Sequence, residues 1–156
     1  MLPEEIKPDT GLCTILGYNA QTGKMRKYFN KIMKINALNA TAIALNIKDE
    51  HIDVTFSSVG QSKVTQMMIE PEFGEKAIQY CANLNECASR EGKLDFIEVV
   101  DTKVWGYCLD DEAKALFEKP EFLDEQILFA AKVMLIAHRW FGAKVDVDEI
   151  PLLIQR

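Results

Sequence analysis

The sequence is short of the residues on which much site chemistry depends. It has two histidines, His51 and His138, and neither stands at a recognisable spacing from a Cys or Ser, so no nucleophile–base pair is legible. Its four cysteines (Cys13, Cys81, Cys87, Cys108) are far apart and form no Cys-x-x-Cys pair. Three of them fall in apolar or amphipathic runs, the pattern of buried free thiols. That argues against a zinc site or a disulfide framework and for a reducing compartment. No Gly-x-Gly-x-x-Gly occurs, so the glycine fingerprint of a dinucleotide site is missing. Positive charge is in deficit, with Lys plus Arg at 18 against Asp plus Glu at 24 for a net charge of −6. Such a surface does not attract phosphate backbones, which argues against a nucleic-acid partner. No apolar run approaches the ~18 residues of a membrane span; the longest, Ile127 to Ala137, is broken by Lys132. The acidic start, MLPEEIKPDTG, has no apolar leader stretch. The expectation is a cytoplasmic protein with no membrane partner, no metal and no cofactor.

What is present reads as one globular domain: 156 residues, 48% of them hydrophobic. Leu12 to Gly17 is a buried strand ending in Gly. Thr22 fits a helix N-cap, and a helix follows to about Asn36, with Met25, Tyr28, Phe29, Ile32 and Met33 on one side and lysines on the other. Thr41 to Ile47 is a second buried strand, completing a parallel strand–helix–strand unit. Asp49 to Ser58 suits one or two helical turns, and Lys63 to Met68 a third strand. Glu70 to Ser89 carries apolar residues at helical spacing. Leu94 to Val100 and Lys103 to Leu109 read as strands joined at Asp101-Thr102. After a short helix from Asp110, the one linker-like break is Glu118-Lys119-Pro120. A long apolar helix then runs from Phe122 to Phe141, closed by Gly142, with Trp140 and Phe141 expected largely buried. Strands alternating with helices predict a three-layer α/β domain with a mainly parallel, mixed sheet. Ligands in such sheets sit at the carboxyl ends of the strands, here Gly17 to Met25, Met67 to Glu70 and Cys108 to Asp111.

Few residues at those ends point to chemistry. Gly17 to Met25 resembles a phosphate-binding loop but has five residues between its glycines, and Met25 replaces the Ser or Thr that would hold magnesium. It reads either as an ordinary loop or as a carboxylate site made of free backbone N–H groups, Thr22 and Lys24. Asp110 opens a helix, where an acid complements the helix dipole or serves a ligand. Lys132 is a lone charge in an apolar helix, which either snorkels to the surface or lines a pocket.

With the elements placed, the sequence resembles the substrate-binding domain of shikimate dehydrogenase. ILGYNAQTGKMRKYFNKIMKINALNATAIALNI runs without gaps along that family's first strand–helix–strand. Gly17 falls on the Gly of its Gly-Asn-Pro, Asn30 on the Asn of its His-Asn, and Leu38-Asn39-Ala40 on the turn into its second strand. Lys63-Val64-Thr65 resembles its Asn-Val-Thr. Val104-Trp105-Gly106-Tyr107-Cys108-Leu109-Asp110 resembles its Leu-Val-Gly-Tyr-Asn-Thr-Asp. Trp140-Phe141-Gly142 resembles the Trp-Thr-Gly closing its last helix, which in the family returns from beyond the nucleotide domain.

The departures matter as much. The family's nucleotide domain has no counterpart here: the chain passes through Glu118-Lys119-Pro120 directly to the last helix. The carboxylate-binding serines fall on Gly23 and Met25, the His of His-Asn on Phe29, the catalytic Lys on Ile69, an Asn near Ile97 and the Gln of the last helix on Lys132; Thr65 and Asp110 match. The resemblance thus implies one domain over residues 1–156, with residues 1–118 as core and residues 121–142 as the returning helix. It implies no NADP binding and no confident catalytic residue, with Asp110 the one candidate. The expected function is a stand-alone, non-catalytic relative that binds a small polar or acidic metabolite, or a protein partner, through Thr22, Lys24, Thr65, Asp110 and Lys132. Two alternatives are a subunit completing a two-domain enzyme with a separate nucleotide-binding protein, and an enzyme of different chemistry in the same cleft. A homodimer is expected because Met67, Met68, Ile69 and the terminal Ile150-Pro151-Leu152-Leu153-Ile154 have no obvious cover in one small domain.

Overall fold

A computed structural model describes residues 9–60 and 62–155; the acidic start read above as no leader falls largely on residues 1–8, outside the described residues. The chain runs β1 (Gly11–Gly17), α1 (Lys24–Ile35), β2 (Ala40–Asn46), α2 (Ile52–Val59), β3 (Gln66–Ile69), α3 (Pro71–Gly74), β4 (Asn83–Leu84), α4 (Glu86–Glu91), β5 (Phe96–Val100), β6 (Lys103–Tyr107), α5 (Asp110–Lys114), α6 (Glu125–Phe141) and α7 (Ile150–Ile154). The strands form one six-stranded sheet in the order β2-β1-β3-β5-β6-β4. β1 lies parallel to β2 and β3, β4 parallel to β6, and β5 antiparallel to both neighbours. The fold is the mixed three-layer α/β domain expected.

Alternation along the strands makes the layers. Cys13, Ile15, Met68 and Phe96 point into a core shared with α1, α6 and α7. Leu16, Met67, Ile69 and Ile97 point the other way, into a core shared with α2, α3 and α4. The apolar face of α1 is the one read from its spacing: Met25, Tyr28, Phe29, Ile32 and Met33 are all buried. β5 and β6 turn through Asp101 and Thr102, both left-handed at φ 51° and 66°, the two-residue hairpin turn whose twist matches the strands.

Several expectations need correction. Thr22 is not the N-cap of α1; Gly23 holds that position and offers no side-chain cap. Glu70 to Ser89 is not one helix but α3, a 3-10 turn (Ile78–Tyr80), β4 and α4. Asn85 enforces the break: its Oδ1 accepts from Ala88 N and Cys108 N, and its Nδ2 donates to Cys108 O. This side chain therefore caps α4 and ties it to the end of β6. The long helix begins at Glu125 rather than Phe122, because Pro120–Phe122 forms a 3-10 turn and the Asp124 side chain caps the helix by accepting from Gln126 N. Trp140 and Phe141 are half-buried. Trp140 stands edge-on to Phe96 and donates to Glu98 Oε2 at 2.7 Å.

Most of the apolar residues that lacked a home find one within the chain. Met67, Met68 and Ile69 lie at the sheet centre at 1% exposure or less. Ile150 and Leu153 are buried against α1 and α6, and the Lys31 ammonium closes α7 by donating to Leu152 O and Leu153 O. Leu152, at 50%, and Phe122, at 79%, stay exposed. No helix among the described residues is long and apolar enough to cross a membrane.

Candidate functional site

At the carboxyl ends of β1 and β3 the sheet opens into a cleft of about 920 Å³ between the start of α1, α3 and α6. The reversed strand β5 begins at this same end, since Ile69 N donates to Asp95 O, and β6 ends there, since Asp95 N donates to Tyr107 O. Asp95 and Asp110 thus arrive together from opposite directions. Lys132 reaches them from the middle of α6, and Lys93 from the turn after α4.

These four charges form a network. Lys132 Nζ pairs with Asp110 Oδ1 and, at 3.2 Å, with Asp95 Oδ1, and Lys93 Nζ reaches Asp110 Oδ2 at 3.0 Å. The second Asp95 oxygen accepts from Leu109 N at 2.6 Å. The Lys132 and Asp110 side chains are 11% and 7% exposed, so Lys132 does not snorkel to the surface. Burial alone would pull the Lys132 ammonium down, but Asp95 and Asp110 hold it above its ordinary range. Burial likewise pushes Asp110 up, and Lys132 and Lys93 more than offset it, leaving the carboxyl below its usual range.

Glu70 stands apart from this network. It follows β3, with its backbone N donating to Leu16 O at 2.8 Å, and its side chain turns back under the start of α1. A Cβ on Gly17 would lie 2.6 Å from Glu70 Cγ, and one on Gly23 would lie 2.7 Å from Glu70 Oε1. The two glycines read from sequence as a near-miss phosphate loop therefore make room for a carboxyl group. Glu70 is 8% exposed, and its Oε1 has no hydrogen-bond partner among the described residues. Burial, with a further contribution from the negative charge of Glu72, pushes this carboxyl up to about 7. Glu72 is held close by, accepting from Tyr18 N at 3.0 Å.

Of the residues expected at a site, the structure places Lys24 and Lys132 on the cleft wall, with Asp110 paired behind them. Thr22 is exposed in the loop before α1. Thr65 is not at the cleft. It precedes β3 at the opposite end, where its carbonyl accepts from Val99 N, and the four residues from there to Ile69 span roughly 13 Å of strand. Glu70, Lys93 and Asp95 were missed. Glu70 carried a signal, since an acid directly after a buried strand and before a proline sits where such sheets bind ligands. His51 is exposed, and His138 Nδ1 lies 2.9 Å from Ala143 O at the end of α6.

Asp95, Cys108 and Asp110 bring three donor atoms within 4.8 Å of one another. They do not suit a metal ion. The Lys132 ammonium pairs with both carboxylates, where a cation would otherwise bind, and burial pushes the Cys108 thiol far up when a metal needs it deprotonated.

No protein-family model and no curated protein matches the sequence. Solved structures do. Shikimate dehydrogenase from Aquifex aeolicus aligns at 20% identity with a TM-score of 0.61, over 75% of this chain and 44% of that one. Shikimate 5-dehydrogenase from Listeria monocytogenes, in complex with shikimate and NAD, aligns at 14% and 0.62, over 79% and 43%. The 5-ketofructose reductase of a Gluconobacter species aligns at 9% and 0.59, over 83% and 51%. This chain spans about half or less of the length of each. It therefore carries the fold found in part of shikimate dehydrogenase.

Proposed function

We propose that this chain is a binding domain for a small polar metabolite, related to the substrate-binding part of shikimate dehydrogenase and holding its ligand in the cleft without hydride transfer. The observation that carries the reading is the Lys93–Asp110–Lys132–Asp95 network. Taking paired charges out of water is costly and a weak way to stabilise a fold, yet these sit where α/β sheets hold ligands. One similar structure contains shikimate, which supports a ligand of that size and polarity. Residues 1–156 would then form one binding domain, with residues 121–142 returning onto the core formed by residues 1–118. The sequence holds no Gly-x-Gly-x-x-Gly fingerprint for a dinucleotide, so this reading does not carry over the redox step.

One observation favours a second reading. The Lys132–Asp110 pair joins an ammonium to a carboxylate at the cleft, and such a pair can hold and pass a proton. An enzyme of different chemistry would use these two groups.

Ligand-detected NMR with a mixture of shikimate, other hydroxy acids and amino acids, run on the parent and on Lys132→Gln, tests the proposal. At least one compound binds, and the substitution weakens it about tenfold, the effect of one charged hydrogen bond. Absence of any bound compound contradicts the reading. Reduction of NADP by shikimate in the presence of the pure protein contradicts its non-redox part.

A further inference from the structure

Among the described residues, three charged groups on the cleft wall are left without partners: Lys24, Glu70 and Glu125, of which Glu70 alone is buried. Lys93 and Lys132 are taken up by Asp110 and Asp95. Glu72 and Asp124 are engaged by the backbone N–H groups of Tyr18 and Gln126. Lys24, in contrast, has no hydrogen bond or ion pair among the described residues, and it opens α1, a twelve-residue helix whose N-cap Gly23 offers no side-chain cap. The exposed ammonium and the open N–H groups at that helix start favour an anion. Glu70 is more than nine-tenths buried, its Oε1 lies against Gly23, and that oxygen is unpartnered. A buried acceptor of this kind favours a donor, above all a cationic one. Lys24 does not satisfy it: nothing of opposite charge offsets the burial of Glu70.

We infer that the cleft takes a small zwitterion of the α-amino acid class, its carboxylate at Lys24 and the open start of α1 and its ammonium at Glu70. The inference rests on the proposed function and narrows its ligand. A plain hydroxy acid would leave Glu70 unmatched, and a plain amine would leave Lys24 unmatched. The groups facing Glu70 across the cleft are Glu72 from α3, Lys24 from α1, Lys93 and Lys132 from the network, and Asp124 and Glu125 at the start of α6. Binding an ammonium draws the proton off Glu70, so affinity rises as the pH passes upward through about 7.

The test is a thermal-shift screen of the standard L-amino acids, followed by calorimetry of the best one beside its decarboxylated amine and its α-hydroxy acid. The amino acid binds at least about tenfold tighter than either analogue, one charged contact being lost in each. Glu70→Gln and Lys24→Gln each weaken it by a similar factor. Glu70→Gln also removes the rise of affinity with pH while melting no lower than the parent, which separates lost binding from lost folding. If no amino acid binds, or the hydroxy acid binds as tightly, the inference is overturned. Lys132-dependent binding of shikimate or a hydroxy acid would then leave the proposed function standing, whereas no binding at all overturns both.

Discussion

Lys132, from the middle of α6, and Asp110, the first residue of α5, form a buried ion pair that joins the long helix to the end of the central hairpin. Lys93 and Asp95 extend it on either side. Removing one partner of such a pair leaves a charge in a dry place. Lys132→Ala is expected to cost about 3–5 kcal/mol, and Lys132→Gln, which keeps a donor toward Asp110, distinctly less. Urea unfolding measures both, and a Lys132→Ala variant as stable as the parent would show the pair to be solvated. The pH dependence has a definite sign. Asp110 is held below its ordinary pKa in the folded state, so its contribution is present above the unfolded value of about 3.9 and is lost as pH falls through the folded one.

Glu70 gives the opposite trend. Its carboxyl is raised from 4.5 to about 7, so the folded state binds the proton more tightly than the unfolded one. Its penalty is absent below about pH 4.5 and grows until pH 7, reaching on the order of 3 kcal/mol. Stability should therefore fall between those values in the parent and fall less in Glu70→Gln, which melts higher at neutral pH. Parallel stability curves for the two proteins would show Glu70 ionised and solvated.

Much of this fold was legible because it rests on periodicity. The strand–helix–strand unit, the buried face of α1 and the hairpin at Asp101-Thr102 follow from spacing and local turn chemistry. The segment from Glu70 to Ser89 was not, because the Asn85 side chain replaces helix continuity with bonds to Cys108, a residue distant in sequence. The site was half-legible for the same reason. Asp110 stood out as the first of three acids opening a helix after a strand, and Lys132 as a lone charge in an apolar helix. Asp95 and Lys93 matter only because β5 runs backwards and delivers them to the same end of the sheet. Thr65 was drawn in by a three-residue likeness, and the register of β3 puts it at the wrong end.

The association expected from sequence now has a narrower base. Most of the apolar residues invoked for it are buried within the chain, leaving Pro151 and Leu152 exposed and Ile154 half-buried. A two-fold dimer through α7 would use Leu152, and Leu152→Asp should then halve the mass seen by light scattering. A mass near 17.7 kDa at every micromolar concentration contradicts the dimer.

The cleft bounded by Lys24, Glu70, Lys93 and Lys132 is proposed as the ligand site. Chemical-shift mapping of the labelled protein, titrated with shikimate and separately with amino acids, tests it most directly. Saturable shifts concentrated at Gly23, Lys24, Glu70, Lys93 and Lys132 are expected for at least one of these compounds. Shifts scattered over the surface, or confined to the opposite end of the sheet around Thr65 and Val99, would contradict it.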